Sequence, residues 1–301
     1  MKFDITVVIP VFNGRVYLEK NLPQLLSAKQ HKLNRIREVI IVDDASKDDS
    51  VSFIENNFSD RIRLLKHSRN RGFASSVNFG VRKAKTKFIC LLNQDVLPSV
   101  NFLENVLPHF RNRDVFGVTL HEPGFGPAVG WFSEGYLQHK SGPESGTTQN
   151  SLWVNGGSGV FRKKIWKKLN GFDEVIFSPF YWEDVDLGYR ALKRGYKLLW
   201  EPKALVEHKH ESTINSNNFS RKYLERIKER NHLLFVWKNI TSHALFSLHK
   251  TALIYRLIHH PGYLVVLLMS LVKYESLRKK RKREIRESTV SDEAILAKFS
   301  K

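Results

Sequence analysis

The chain carries one cysteine in 301 residues. Cys90 has no partner for an intramolecular disulfide and cannot anchor a cysteine-rich zinc site, so a reducing, cytoplasmic compartment is expected. Long hydrophobic runs are missing as well. The nearest to one, Tyr263–Val272, is about half the roughly 20 residues that a spanning helix needs. Asp4 and Pro10 interrupt anything at the N-terminus that would read as a signal peptide. Acidic residues are in short supply, with 30 Asp+Glu against 49 Lys+Arg and a formal charge of +19. What is abundant excludes disorder: 42% of residues are hydrophobic and 12% aromatic.

The positive charge is uneven. Residues 236–301 hold 13 Lys+Arg against 5 Asp+Glu, including six consecutive cations, Arg278-Lys279-Lys280-Arg281-Lys282-Arg283. A basic chain seeks nucleic acid, anionic lipid or phosphorylated small molecules. The aromatic-basic signatures of RNA modules are absent, and an acid cluster at 183–186 would repel a phosphate backbone, so nucleic acid is not an expected partner.

Between residues 5 and 95 short β-rich runs alternate with helical periodicity. Strands are predicted at Ile5–Pro10, Glu38–Val42, Ile62–Lys66 and Phe88–Leu92, with helices at Val16–Ser27, Asp48–Phe58 and Ala74–Ala84. This alternation predicts an α/β fold with a mostly parallel sheet, buried on both faces. In such sheets ligands bind beyond the carboxyl ends of the strands. Asn13, Asp43-Asp44 and Asn93-Gln94-Asp95 fall there. The stretch 117–150, with seven glycines and three prolines, reads as loops and short strands over the open sheet edge. Regular structure returns at Phe161–Leu169 and Trp182–Arg194. A further helix follows at 218–237, with Tyr223, Ile227, Leu234 and Phe235 on one side. Beyond it, Leu245, Leu248, Ala252, Tyr255 and Ile258 form a helical stripe that Pro261-Gly262 stops. The expected division is 1–235 as one domain, with a nucleotide-binding half 1–100 and an acceptor half 101–235, followed by a basic amphipathic helical tail 236–301. The tail is expected to lie on an anionic membrane and to be dispensable for folding of the rest.

Several residues bear chemistry. A carboxylate at Asp44 suits either a nucleobase or ribose contact or a helix N-cap. Asn93 and Asp95 can present hard oxygen ligands to Mg²⁺ or Mn²⁺, although Asn and Asp are also ordinary turn residues. Glu183, Asp184 and Asp186 follow Trp182. They favour a helix start electrostatically, and no structural purpose for three acids in four positions is evident in the sequence, so one of them is a candidate general base. His208 and His210 share a strand face and either could complete a cation's shell.

Seven short segments then coincide in order: Val7-Val8-Ile9-Pro10-Val11-Phe12-Asn13; Val42-Asp43-Asp44-Ala45-Ser46-Lys47-Asp48; Asn70-Arg71-Gly72-Phe73-Ala74 with Asn78 and Gly80; Leu91-Leu92-Asn93-Gln94-Asp95-Val96; Asn155-Gly156-Gly157-Ser158-Gly159; Gly171-Phe172-Asp173-Glu174; and Trp182-Glu183-Asp184-Val185-Asp186-Leu187. Over residues 4 to 235 the chain resembles the family 2 glycosyltransferases, inverting enzymes of GT-A fold that use nucleotide sugars. The resemblance implies that Asp44 contacts the nucleotide base, with Pro10, Asn13 and Arg71 nearby. It implies that Asn93 and Asp95 stand at the Asp-X-Asp motif that holds a divalent metal and the diphosphate. It makes His208 a later metal or diphosphate ligand, and Asp184 the catalytic base with Glu183 beside it. Asn93 departs from the aspartate many members carry, which removes one charge from the site. The same resemblance points to bacterial surface-polysaccharide enzymes and rhamnosyltransferases. UDP- or dTDP-sugars are then the expected donors, a glycan or lipid-linked acceptor the expected partner, and the inner face of the plasma membrane the expected location.

Overall fold

The computed structural model describes residues 3–208 and 220–300. The first half alternates β1 (Ile5–Val11), α1 (Arg15–Gln30), β2 (Ile36–Asp43), α2 (Ser50–Phe58), β3 (Arg63–Lys66), α3 (Phe73–Lys83) and β4 (Phe88–Leu92). Every strand and helix expected here is present within a few residues of its predicted bounds. β1, β2 and β4 are almost wholly buried because helices cover both faces of the sheet, which is why their sequences run apolar without alternation.

The chain continues through β5 (Val96–Pro98), β6 (Val115–His121), β7 (Ala128–Ser133), β8 (Tyr136–Ser141), β9 (Gln149–Asn150), β10 (Ser158–Arg162), α4 (Lys163–Lys168), α5 (Glu183–Lys193) and β11 (Lys197–His208). The main sheet runs β3-β2-β1-β4-β10-β6-β11-β5, with β9 on β11, and β7-β8 form a separate hairpin. β3, β2, β1 and β4 are mutually parallel, whereas β10 lies antiparallel between β4 and β6. Only part of 117–150 is the loop-rich cover expected. β6, its first element, is an interior strand of the main sheet, a placement its glycine-rich surroundings concealed.

Helices α6 (Arg221–Asn239), α7 (His243–His259), α8 (Tyr263–Leu271), α9 (Tyr274–Glu287) and α10 (Asp292–Phe299) complete the chain. Ile227, Leu234 and Phe235 are buried as their spacing requires, while Tyr223 faces outward. Among the described residues no helix is long and apolar enough to cross a membrane. Residues 236–301, expected from the sequence to be dispensable for folding of the rest, pack against it. Tyr263, Val266, Leu277, Ile295, Leu296 and Phe299 join the same apolar core as Val8, Phe161 and Leu187. Lys193 of α5, fully buried, reaches Asp292 at 2.8 Å, and the other Asp292 oxygen accepts from the Thr241 and Ser242 amides at 2.6 and 2.7 Å. Arg194 grips Glu284 and Glu287 at 2.7 and 2.9 Å. The basic run is not a uniformly solvated face either. Lys280 pairs with Asp173, Arg281 donates to the Trp237 carbonyl and Arg283 to that of Lys168, which leaves Arg278, Lys279 and Lys282 outward. A run of six consecutive residues on a 3.6-residue helix has to visit every side, so some of its charges turn inward and need partners there.

Candidate active site

The carboxyl ends of β1, β2 and β4 meet at one edge, and the loops leaving them are tied together by side chains. Asn13 takes a left-handed conformation (φ 50°); its amide donates to Ser46 Oγ at 2.9 Å and its Oδ1 accepts from the Lys47 amide at 2.7 Å. Pro10 lies in β1 opposite Val42. Asp44 is buried, and its two oxygens accept from the Arg71 and Gly72 amides at 2.8 Å each. It therefore does not cap α2, whose preceding residue is Asp49; it fixes the loop that presents the exposed Arg71. Gln94, unassigned in the sequence, exchanges hydrogen bonds with the Phe12 amide and carbonyl at 3.1 and 3.3 Å and so joins the tip of β1 to β4. Any Cβ at position 14 would overlap the Gln94 amide, which is why a glycine stands there.

Asp95 and His208 are brought together by strand register. β11 runs antiparallel to β5 with His208 opposite Val96, so the ring ends up beside Asp95 (Nε2 to Oδ1, 3.2 Å). Its other nitrogen faces Glu122 at 3.1 Å. Burial opposes charge on His208, but the bonds to Asp95 and Glu122 prevail and raise it to about 9. Glu122, just past β6, escaped the sequence reading; a buried acid at a strand end within a glycine-rich stretch was the available signal. It also accepts from Asn155 Nδ2 at 3.0 Å and from Ser158 Oγ. His210 lies outside the described residues.

Among the described residues no three His, Cys, Asp or Glu side chains form a ready-made cation cage. The donor chemistry nonetheless fits a divalent ion. Two buried carboxylates, an imidazole and the nearby Asn93 amide are the oxygen and nitrogen ligands that Mn²⁺ accepts, and His208 now supplies the positive charge facing both acids.

The Asn155-Gly156-Gly157 loop links this cluster to the acids of α5. Asn93 N donates to Gly157 O at 2.8 Å, Gly157 N to Asn155 Oδ1 at 2.8 Å, and Gly156 N to Asp184 Oδ2 at 3.3 Å. A Cβ on Gly157 would overlap the Asn93 side chain. Asp184 is partly exposed and also accepts from the Val185 amide at 2.8 Å. Its carboxyl is raised by burial. The buried Glu183 is pushed up to about 8, first by burial and then by the adjacent Asp184 charge.

Asp186 has the structural purpose the sequence did not show. It is fully buried, with Arg190 at 2.7 Å, Lys238 at 2.7 Å and Asn239 Nδ2 at 2.9 Å. Burial would raise its carboxyl, but Arg190 and Lys238 hold it below its usual value. Ahead of the acids, Tyr181 and Trp182 both take left-handed backbone, at φ 72° and 77°. Each costs on the order of 1–3 kcal/mol for a non-glycine residue. The fully buried Asn231 of α6 holds them there, donating to the carbonyls of Phe177, Phe180 and Tyr181 at 3.1, 2.8 and 3.0 Å. His232 stacks on Trp182 at 4.6 Å.

Residues 6–169 match Glycosyl transferase family 2. The pre-mycofactocin glycosyltransferase of Mycobacterium tuberculosis is 31% identical over 226 residues, which cover 70% of this chain and 44% of that protein. The chain thus spans less than half of that relative. A dolichyl-phosphate beta-glucosyltransferase of Dictyostelium discoideum is 30% identical over 122 residues, 37% of each chain. Among solved structures, GalNAc-T7 with UDP, GalNAc and Mn²⁺ superposes with a TM-score of 0.64 at 15% identity, over 87% of this chain and 57% of that one. The mannosyltransferase PcManGT of Pyrobaculum calidifontis, with GDP-Man and Mn²⁺, gives 0.57 at 15% identity, over 98% and 85%. These likenesses establish the GT-A architecture, and with the sequence match they place the chain in glycosyl transferase family 2.

Proposed function

We propose that the chain transfers a sugar, with inversion, from a UDP- or dTDP-sugar to a hydroxyl of a glycan or lipid-linked acceptor, with Asp184 as general base. The observation that carries this reading is Asp184 itself: partly exposed, oriented by the Gly156 and Val185 amides, and connected through one short loop to Asn93 and Glu122. The acceptor oxygen attacks the anomeric carbon, its proton passes to Asp184, and the bond from that carbon to the diphosphate oxygen breaks as the nucleoside diphosphate leaves. A positioned base contributes about 10²–10⁴ in rate. Glu183, largely protonated, leaves a single negative charge at the reacting hydroxyl.

At the donor end, Asp95, Asn93 and His208 would hold Mg²⁺ or Mn²⁺, which when bound offsets charge on the departing diphosphate. Glu122 orients His208 from its far side. Asp44, Pro10 and Asn13 shape the base and ribose end, and Arg71 approaches the nucleotide. A relative named for acting on dolichyl phosphate supports a lipid-carried acceptor, which would bring the enzyme to the inner face of the plasma membrane during surface-polysaccharide synthesis. A screen of nucleotide sugars for donor hydrolysis with added Mn²⁺, run beside Asp184→Asn, tests the reaction. Hydrolysis of none, or hydrolysis without transfer that the variant leaves unchanged, would end it. Calorimetry of UDP and of Mn²⁺ against Asp95→Ala tests the metal assignment without turnover: an affinity equal to the wild type's would place the cation elsewhere.

A further inference from the structure

Helices α7 and α8 are packed on one side only. Leu248, Tyr255 and Ile258 of the stripe read from the sequence point outward, and so do Leu264, Leu268 and, just past α8, Val272. Ile258 is 68% exposed and Val272 87%. The spacing explains the pattern. Positions 248, 255 and 258 share one face of α7, and 264, 268 and 272 one face of the following turns, while Tyr263 and Val266 face the core. An apolar face of this extent on two consecutive helices marks an interaction site.

Charge identifies the occupant. From Arg230 to Tyr274 the chain has no Asp or Glu at all, while it carries Arg230, Lys238, Lys250, Arg256 and Lys273. Lys250 on α7 and Arg278, Lys279 and Lys282 on α9 are exposed, against the exposed Glu275 at the start of α9 and Glu134, whose neighbour Gly135 meets α7. A second copy docking through the same face would set cationic rim against cationic rim in a molecule of net charge +19. A bilayer with anionic headgroups complements both features: its acyl boundary takes the apolar face, and its surface potential attracts the rim.

We infer that the outward face of α7 and α8, rimmed by Lys250, Arg278, Lys279 and Lys282, is a monotopic docking surface for an anionic lipid bilayer. The surface is coupled to the site through packing. Tyr263 and Tyr136 hydroxyls lie 3.3 Å apart, Tyr136 packs on His232, and His232 stacks on the Trp182 that precedes Glu183.

The test is flotation of the full chain with vesicles of phosphatidylcholine alone or mixed with phosphatidylglycerol. The full chain should float with the mixed vesicles. Ile258→Glu/Leu268→Glu should partition at least tenfold more weakly, with its unfolding temperature unchanged. Arg278→Gln/Lys279→Gln/Lys282→Gln should lose most of the preference for anionic vesicles. A wild-type chain that stays at the bottom of the gradient overturns the inference, as does a Glu double variant that floats as well as wild type. So does a wild-type dimer by light scattering that the double variant dissolves, since the face would then belong to a second copy. Donor hydrolysis in vesicle-free buffer is scored separately, so failure of the catalytic reading and failure of docking remain distinguishable.

Discussion

The two ends of the site are held by different physics. At the proposed nucleotide end, a parallel sheet buried on both faces sets the frame, and neutral or singly charged side chains fasten loops to it through backbone amides, as Asp44 does for Arg71 and Gly72. At the acid end, the frame is a buried ionic lattice. Asp173 sits among Lys238 and Lys280, Asp186 among Arg190, Lys238 and Asn239, and Asp292 among Lys193, Tyr189 and two amides. Burial alone would raise the Asp173 carboxyl, yet Lys238 and Lys280 hold it far below the usual range. Such a lattice is stable only while complete, because removing one member strands its partners in a low dielectric. The lesson is that the nucleotide end should degrade gradually under mutation and the acid end abruptly.

The largest break in that comparison is removal of the chain after Asn239. It strips Asp292 from Lys193 and seven buried apolar side chains, Ile240 among them, from the core, and it should yield an aggregating product with no cooperative urea transition. A soluble fragment with a sharp transition would show that the α5 side closes by itself. Lys238→Met leaves Asp173 and Asp186 short of a cation and should cost about 3–5 kcal/mol in urea unfolding. Asp184→Asn should lower transfer by about 10²–10⁴ while UDP affinity by calorimetry stays within about twofold. Asp44→Ala, at the other end, removes two charge-assisted bonds of about 1.5–3 kcal/mol each from a single loop, and should loosen nucleotide binding while urea unfolding stays cooperative.

The smallest effects come from titration. Asp184 must be ionised to act, and burial raises its carboxyl, so the acid limb of the transfer pH profile should lie above the ordinary aspartate range. Glu183 retains a proton in the folded chain that the unfolded chain releases. Stability should therefore decline as pH rises from 4.5 through about 8, and Glu183→Gln should flatten that decline. Thermal unfolding at pH 5 and pH 8 measures it.

Legibility in the sequence follows the same boundary. Strands β1 to β4 announced themselves as short apolar runs, and helices α1 to α3 by their period. Asp95, Asp184 and His208 were singled out through short motifs and a family resemblance, and strand register sets His208 beside Asp95. Glu122 and Asn231 were not, since their importance arises from partners 36 and about 50 residues away, Ser158 and the 177–181 carbonyls. The acids of 183–186 looked alike in sequence, and only packing separates Asp186, held by three donors, from Glu183 and Asp184, which pair with no cation among the described residues. The basic hexamer misled for a related reason. Consecutive charges read as one surface, whereas helical rotation sends half of them into the protein.

The Lys193–Asp292 pair has a consequence for how the molecule is made. During synthesis, domains generally fold as units from the N-terminus. The parallel half, complete by Leu92, already holds all the strands that pair β1 with β2 and β4, and β2 with β3. The acid half must wait, with Lys193 and the underside of α5 uncovered, until residues 292–299 have emerged. Mutations that slow closure of that last contact should therefore lower the yield of soluble protein more than they lower the stability of the molecules that finish folding.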